Sequence, residues 1–230
     1  MEVDEIWSRL KAIRSLAEEV NAAENILYGV EKEIEKAKER LVRIAVGRVL
    51  DRYGIRNLKV PREAYGEIYK GEITMARVEE ILKPLIETAD DIALEQMLRS
   101  ASRLVPQVWE EGGARSPRVD EIVKGRKLHL RVYWSYGNIS FSSMEYILDL
   151  DKVIPALIGR EPASRVKPMG IYSLIHDAWS FVDYSQARQY VLDNRYIDGF
   201  RIYKNGKFVI VFKKERDARM IAKALIDASK

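Results

Sequence analysis

The sequence predicts an α+β fold, in which a long coiled-coil helix and a helical region precede a small α/β domain with a C-terminal β-hairpin. Two periodicities predict it. Over residues 6–48 the apolar positions recur at alternating steps of four and three, which is typical of a coiled coil. After residue 118 the period changes to two, as in half-buried strands. We therefore predict a coiled-coil and helical assembly region over 1–111, a linker over 112–118 and a basic, aromatic-rich domain over 119–230.

The predicted N-terminal helix covers residues 3–52 and should end at Gly54, a residue type that favours helix C-termini. An apolar seam of this length needs a partner, and we predict that a second copy of the chain supplies it. The expected dimerisation residues are Ile13, Leu16, Val20, Leu27, Val30, Ile34, Leu41 and Ile44. Parallel, antiparallel and intramolecular pairing all remain open, because a break near residues 21–25 would divide the helix into two.

The composition limits the class of protein. The 230 residues include no cysteine, which excludes disulfides, zinc–thiolate sites and cysteine nucleophiles. No apolar run reaches the roughly 18 residues of a membrane span, and the N-terminus does not resemble a signal peptide. A cytoplasmic protein is the simplest interpretation. The many charged residues with few Asn and Gln also favour a thermophilic source.

The net charge of +4 is unevenly distributed. Residues 1–111 hold 18 basic and 22 acidic residues, a net charge of −4. Residues 112–230 hold 21 basic and 13 acidic residues, a net charge of +8. This asymmetry suggests that the first region assembles and the second contacts a negatively charged partner.

Between the coil and the linker, three further helices are expected. Pro61 begins the first and Thr74 caps the second, while the third runs from about Ala89 to Glu110. Beyond the linker, Lys127 to Tyr136 alternates between apolar and polar residues and predicts a strand. A helix follows to Ile158. A basic loop then carries Arg160, Arg165 and Lys167.

The stretch 170–213 carries the first resemblance. A helix over 184–194 would precede two strands joined by Asn205-Gly206, the strongest short hairpin signal. Helix, turn, helix and basic-tipped hairpin resemble a winged helix-turn-helix. The resemblance implies that Ser185, Gln186, Arg188 and Gln189 face a major groove, and that Lys204, Asn205 and Lys207 reach phosphate.

A second resemblance involves some of the same residues. The segment 206–225 is similar to the third strand and second helix of an RNA-recognition motif, a family that stacks bases on two outward aromatics. Here Lys207 and Val209 occupy those positions, and the chain ends before a fourth strand. We therefore retain from this resemblance only a ferredoxin-like packing as an alternative fold.

The candidates for catalysis are weak. His176 and Asp177 are adjacent and would point apart on a helix, and Asp149 and Asp151 lie in a predicted helix. Ser164 and Lys167 have serine–lysine spacing but lie in a basic loop. We predict no catalytic residue, no metal site and no cofactor.

The predicted function is a dimeric, non-enzymatic DNA-binding protein that contacts duplex DNA through its basic C-terminal domain. The alternative is a structural or adaptor subunit that contacts only proteins. A continuous positive face that joins the basic loop to the hairpin tip would favour DNA. An exposed patch of Tyr133, Tyr203, Phe208 and Phe212 would favour a protein partner. A cleft that gathers His176 with the Asp149 and Asp151 pair would favour an enzyme.

Overall fold

A computed structural model of the chain describes residues 3–19, 24–135, 138–179, 188–192 and 194–230. It confirms a mixed helix and sheet architecture. Two compact units are present, Met1–Ala89 and Asp90–Lys230. The linker that we predicted over 112–118 lies inside the second unit, and Gly113–Arg115 within it form a strand.

The first unit is helical. Its elements are α1 (Val3–Glu19), α2 (Glu24–Arg52), α3 (Arg62–Tyr69) and α4 (Met75–Glu87). The core of this unit is formed where α2 packs on the other three helices; its fully or almost fully buried side chains are Val3, Leu41, Val42, Ala45, Val46, Val49, Ile68, Ile73, Val78 and Leu82.

The two N-terminal helices lie side by side, so the prediction of one continuous helix over 3–52 is wrong. Lys38 Nζ lies 5.6 Å from the centre of the Trp7 ring. In a single straight helix these residues would be roughly 45 Å apart at 1.5 Å per residue. The described part of α1 therefore covers part of the apolar seam of α2 within one chain.

The predicted dimerisation residues have different environments. Leu41 is buried in the core of the helical unit, whereas Val30 and Ile34 are half-buried. Ile13, Leu16 and Ile44 are exposed, with 49%, 60% and 47% of their surface accessible. Val20 and the side chain of Leu27 lie outside the described residues.

The second unit is built around an antiparallel sheet. Its helices are α5 (Ala89–Ala101), α6 (Val119–Ile122), α7 (Phe141–Gly159), α8 (Ile171–Trp179) and α9 (Glu215–Ala228). Its strands are β1 (Val108–Glu110), β2 (Gly113–Arg115), β3 (Val123–Lys124), β4 (Lys127–Arg131), β5 (Trp134–Ser135), β6 (Asn138–Ile139), β7 (Arg188–Val191), β8 (Ile197–Ile202) and β9 (Lys207–Phe212). A short 3₁₀ turn covers Ser102–Leu104.

Five of these strands form one sheet in the order β3-β4-β9-β8-β7. One face of this sheet belongs to the hydrophobic core, because alternate residues of the three central strands point to the same side. Leu128, Leu130, Phe200, Phe208, Ile210 and Phe212 form that face and share one buried cluster with residues of α7, α8 and α9. The opposite face carries the polar residues of the same strands.

The predicted hairpin is confirmed between β8 and β9. Gly206 has a φ of +82°, and a Cβ there would lie 2.5 Å from the Val132 carbonyl oxygen. Asn205 Oδ1 accepts a hydrogen bond from the Lys207 N–H at 3.1 Å. Glycine at this position is therefore required both by backbone conformation and by space.

The predicted recognition helix over 184–194 is wrong for its described part, because Arg188–Val191 is the strand β7. It pairs with β8 in antiparallel register, and the Tyr190 ring stacks on Phe200 with 4.6 Å between centroids. The free edge of β8 and this aromatic contact outweigh the local helical pattern. Ser185 and Gln186 lie outside the described residues.

Among the described residues, the structure has no helix with the length and apolarity needed to cross a bilayer.

Candidate nucleic-acid interface

The polar face of the five-stranded sheet is strongly basic. Residues that alternate with the core positions of β4 and β9 point to this side, and their register partners on neighbouring strands do the same. We call this surface the basic sheet face; it consists of Lys124, Lys127, His129, Arg131, Gln189, Arg201, Lys207, Val209 and Val211.

Like charges lie directly opposite each other at two places on this face. Lys124 is the register partner of Lys127, and Arg131 is the register partner of Lys207. Directly opposed like charges destabilise a sheet. Asp198 is the only acidic residue of the described strands in this sheet, and it pairs with Arg126 and Lys213 at 2.7 and 3.0 Å. Among the described residues, five cations and no acidic residue belong to the basic sheet face, although Asp198 also lines its concavity.

His129 lies in the middle of the basic sheet face. Partial burial of the imidazole lowers its pKa most, and the nearby charges of Lys207, Lys127 and Lys124 lower it further. Its Nε2 atom is buried and has no hydrogen-bond partner among the described residues. The lowered pKa favours the neutral form of the ring, and the three lysines contribute to this effect.

Two tyrosines lie where β4 and β8 end. Lys207 Nζ is 5.8 Å from the centre of the Tyr203 ring, and Arg131 Cζ is 5.9 Å from the centre of the Tyr133 ring. Tyr133 is 52% exposed. A shallow concavity of about 400 Å³ covers the sheet beside Tyr203, and its lining includes His129, Lys127, Lys207, Val209 and Val211.

The chemistry of this surface is that of anion binding with apolar contact. Lysine and arginine side chains bind phosphate oxygens, and the half-buried Val211 among them supplies apolar surface, whereas Val209 is buried. No protein-family model, curated protein or solved structure matches the chain. The side chains of the basic sheet face are therefore the basis for proposing a function.

Part of the predicted binding set belongs to this surface. Lys207 lies on it, and Gln189 accepts a hydrogen bond from Arg201 through Oε1. Lys204 and Asn205 form the turn beside it. Arg188 is opposite Ile202 in the ladder, and its side chain lies outside the description.

The basic loop forms a separate group. Arg160 ends α7 in a left-handed conformation with φ of 55°. Its neighbour Glu161 accepts a hydrogen bond from the Tyr196 hydroxyl at 2.8 Å, just before β8 begins. Tyr203 follows the other end of β8, roughly 20 Å away at 3.3 Å per residue.

The remaining residues of this loop also have a structural anchor. Ser164 donates from its N–H and its hydroxyl to Asp90 Oδ1, at 2.9 and 2.6 Å. Arg165 and Lys167 follow and are exposed. Arg160 thus lies near the start of β8, whereas Lys204 and Lys207 lie beyond its other end.

Sequence reasoning missed Lys124, Lys127, His129, Arg131 and Arg201 as site residues. The alternation over Lys127–Tyr136 already placed His129 and Arg131 on the outward face of a strand. The missing information was the pairing of β4 with β9, which brings these residues beside Lys207.

The other predicted surfaces are not formed. Phe208 and Phe212 are fully buried, so they cannot build an exposed patch with Tyr133 and Tyr203.

Asp151 is fully buried, and its carboxylate accepts hydrogen bonds from the N–H groups of Gly170, Ile171 and Tyr172 at 3.0–3.1 Å. His176 is on the exposed side of α8, with 62% of its side chain accessible. The described residues therefore do not form the cleft of His176 with Asp149 and Asp151 that would have favoured an enzyme. These residues also contain no cluster of three potential metal ligands.

Proposed function

We propose that the protein is a non-enzymatic nucleic-acid-binding protein that contacts phosphates through the basic sheet face. The observation that carries this proposal is the presence of two pairs of opposed like charges, Lys124 with Lys127 and Arg131 with Lys207. Each costs sheet stability, and a polyanion bound across the strands relieves that repulsion. Nucleic acid is the polyanion whose closely spaced phosphates match several cations on one surface.

The mode of contact differs from that expected for duplex DNA. That expectation depended on a recognition helix that includes Arg188 and Gln189, and these residues lie in β7. The proposal keeps nucleic acid as the ligand and moves the contact from a helix to the sheet.

The helical unit supplies the second part of the proposal, which is dimerisation. Ile13, Leu16 and Ile44 remain exposed although α1 and α2 pack on each other within the chain. Large exposed apolar side chains on neighbouring helices favour association with a second copy. Two copies then present two basic sheet faces, which raises the avidity for one polynucleotide.

The experiment measures binding of the full-length protein to fluorescently labelled oligonucleotides by anisotropy, across a salt series of about 50 to 200 mM. We expect log–log plots of affinity against salt to be linear with a negative slope. Lys127→Glu/Lys207→Glu should abolish most binding. Lys167→Glu is the control, because it reverses the charge of one exposed lysine in the basic loop.

Binding through the basic sheet face and binding through the basic loop predict opposite results for this control. Loss of binding in Lys167→Glu with retention in the double variant would place the site on the basic loop and contradict the sheet-face proposal. Absence of binding to any oligonucleotide at about 50 mM salt would remove nucleic acid as the ligand.

The second candidate function is a protein-binding adaptor. Trp109 and Phe141 favour it, since they are 76% and 77% exposed in the second unit. An adaptor of this kind would bind no oligonucleotide at low salt but would still self-associate through the helical unit. The same titration, followed by sedimentation analysis, separates the two functions.

A further inference from the structure

Two tyrosine–cation pairs lie where β4 and β8 end; Tyr203 lines the concavity of the basic sheet face, and Tyr133 lines a separate pocket with residues of α7. Arg131 and Lys207 are register partners, and each lies beside a ring, Tyr133 and Tyr203 respectively. The backbone also fixes Tyr203, whose N–H donates to the Lys207 carbonyl at 2.8 Å. Phosphate-binding and ring surfaces are therefore adjacent.

This arrangement offers two kinds of contact to one ligand. A cation beside a ring binds a phosphate, while the ring surface stacks on the base attached to that backbone. In a duplex the base faces are already stacked inside the helix, and only base edges and the phosphodiester backbone are accessible. The tyrosines add affinity only for a strand whose bases are unpaired.

The floor of the concavity supports the same conclusion. The half-buried Val211 belongs to it, whereas Val209 is only 4% exposed there, and Lys127, Lys207 and Asp198 line the same concavity. An apolar floor between cations suits a strand that turns its bases toward the sheet and its phosphates toward the rim. A duplex would set its charged backbone against the valines, which is unfavourable because it desolvates the phosphates there.

We propose that the basic sheet face binds a single, unpaired polynucleotide strand, with bases stacked on Tyr133 and Tyr203 and phosphates held by Lys127, Arg131 and Lys207. This inference rests on the proposed function and specifies its ligand. The stacking rings come from residues that follow the strands. They do not come from the central positions Lys207 and Val209, where an RNA-recognition motif would carry aromatics.

The first test compares four ligands of about 16 nucleotides with the full-length protein at one salt concentration. They are oligo(dT), oligo(U), a random-sequence duplex and an abasic deoxyribose-phosphate strand. We expect at least roughly tenfold tighter binding of an unpaired strand than of the duplex or the abasic strand, as for loss of one to two stacked bases. The comparison of oligo(dT) with oligo(U) shows whether the sugar contributes to affinity.

The second test uses variants of the rings. Tyr203→Ala and Tyr133→Ala should each weaken binding of the preferred single strand by roughly tenfold, with an unchanged salt slope because no charge is lost. Tyr203→Phe should retain binding, because the ring remains. Trp109→Ala is the control, since it removes a more exposed aromatic from β1, outside the basic sheet face. Far-ultraviolet circular dichroism verifies that each variant is folded.

The outcomes test the single-strand inference separately from the proposed binding of phosphates by the basic sheet face. Equal affinity for duplex and single strand, with neutral Tyr→Ala variants and a harmful Lys127→Glu/Lys207→Glu change, would overturn the single-strand inference and leave phosphate binding intact. If Tyr203→Phe is as weak as Tyr203→Ala, the hydroxyl and not stacking is responsible, and the inference fails. No binding to any of the four ligands at low salt would overturn both.

Discussion

Arg131 lies directly opposite Lys207 in the antiparallel ladder between β4 and β9. Both side chains are exposed and point to the same face of the sheet. Two cations at one cross-strand position repel each other, so the fold tolerates an arrangement that opposes its own stability. Ligand binding gives a physical reason for this pair that folding alone does not provide.

Replacing one member of this pair should separate stability from binding. Lys207→Glu converts the repulsion into an attraction and should raise the free energy of unfolding by about 0.2–1 kcal/mol. Urea denaturation measures the change, and Lys204→Glu in the adjoining turn is the control without an opposed cation. A lower free energy of unfolding in Lys207→Glu than in Lys204→Glu would contradict the interpretation of the pair as repulsive.

The same lysine should control the ionisation of His129. Because the charge of Lys207 helps to lower the pKa of His129, Lys207→Gln should raise that pKa toward its ordinary value. A titration of the imidazole resonances by NMR measures it. The chain has only two histidines, so His129→Gln assigns the signal. An unchanged midpoint in Lys207→Gln would show that the charge of Lys207 does not lower this pKa.

The sign of the linked stability change follows from the lowered pKa of His129. The folded protein binds this proton more weakly than the unfolded chain does, so acid favours unfolding. The contribution of His129 to the free energy of unfolding is complete above the pKa of the unfolded chain, near 6.5. It decreases as the pH falls below that value. His129→Gln should flatten the stability profile in that window. A profile that keeps its slope in the variant would assign it to other groups.

Asp151 should be essential for the fold of the second unit. Its buried carboxylate accepts three backbone hydrogen bonds where α8 begins, from Gly170, Ile171 and Tyr172. Burial raises the pKa of Asp151, whereas these donors lower it. Asp151→Asn places an N–H₂ group against N–H donors and should reduce the free energy of unfolding by about 2–4 kcal/mol. Chemical denaturation measures the loss.

Asp149 provides the control for this substitution. It lies two residues earlier on α7 and is only half-buried. Asp149→Asn should therefore change the free energy of unfolding by less than about 0.5 kcal/mol. Equal effects of the two substitutions would mean that helix charge, and not the backbone contacts, explains the role of Asp151.

The proposed dimerisation should be weakened by substitution of exposed seam residues and not by substitution of buried ones. Leu16→Glu places a charge on an exposed apolar position and should shift the protein toward monomer without unfolding it. Sedimentation velocity measures the association. Leu41→Ala should instead lower the free energy of unfolding by about 2–4 kcal/mol, because Leu41 is buried within the chain. A Leu16→Glu protein that associates like the original would exclude this surface.

Local patterns of the sequence predicted local structure. The alternation at Leu128 and Leu130 and the Asn205-Gly206 turn specify β4 and the β8–β9 hairpin, because each depends on residues close in the chain. The coiled-coil period likewise identified helical residues. It could not show that α1 covers α2, since an apolar seam is satisfied equally by a helix of the same chain or of another.

Long-range pairing explains what the sequence did not reveal. The register between β4 and β9 joins Arg131 to Lys207, and no local pattern states that contact. The predicted recognition helix failed at Arg188–Val191 for a related reason, because the edge of β8 and the Phe200 ring favour a strand there. Half of the candidate site was thus visible as polar strand positions, but its assembly into one surface was not.

The position of β9 in the sheet also determines how this unit should fold. Its contact with β8 closes a turn of only Tyr203–Gly206, whereas its contact with β4 closes the chain between residues 131 and 207. Closing the longer loop costs more chain entropy, so we expect the hairpin to form first and β4 to join late. Ile202→Ala should then slow refolding, while Leu130→Ala should mainly accelerate unfolding, as stopped-flow chevron plots would show. The strand that carries Lys127 and Arg131 is in this view the last to enter the sheet, so the ligand surface is complete only after the rest of the unit has assembled.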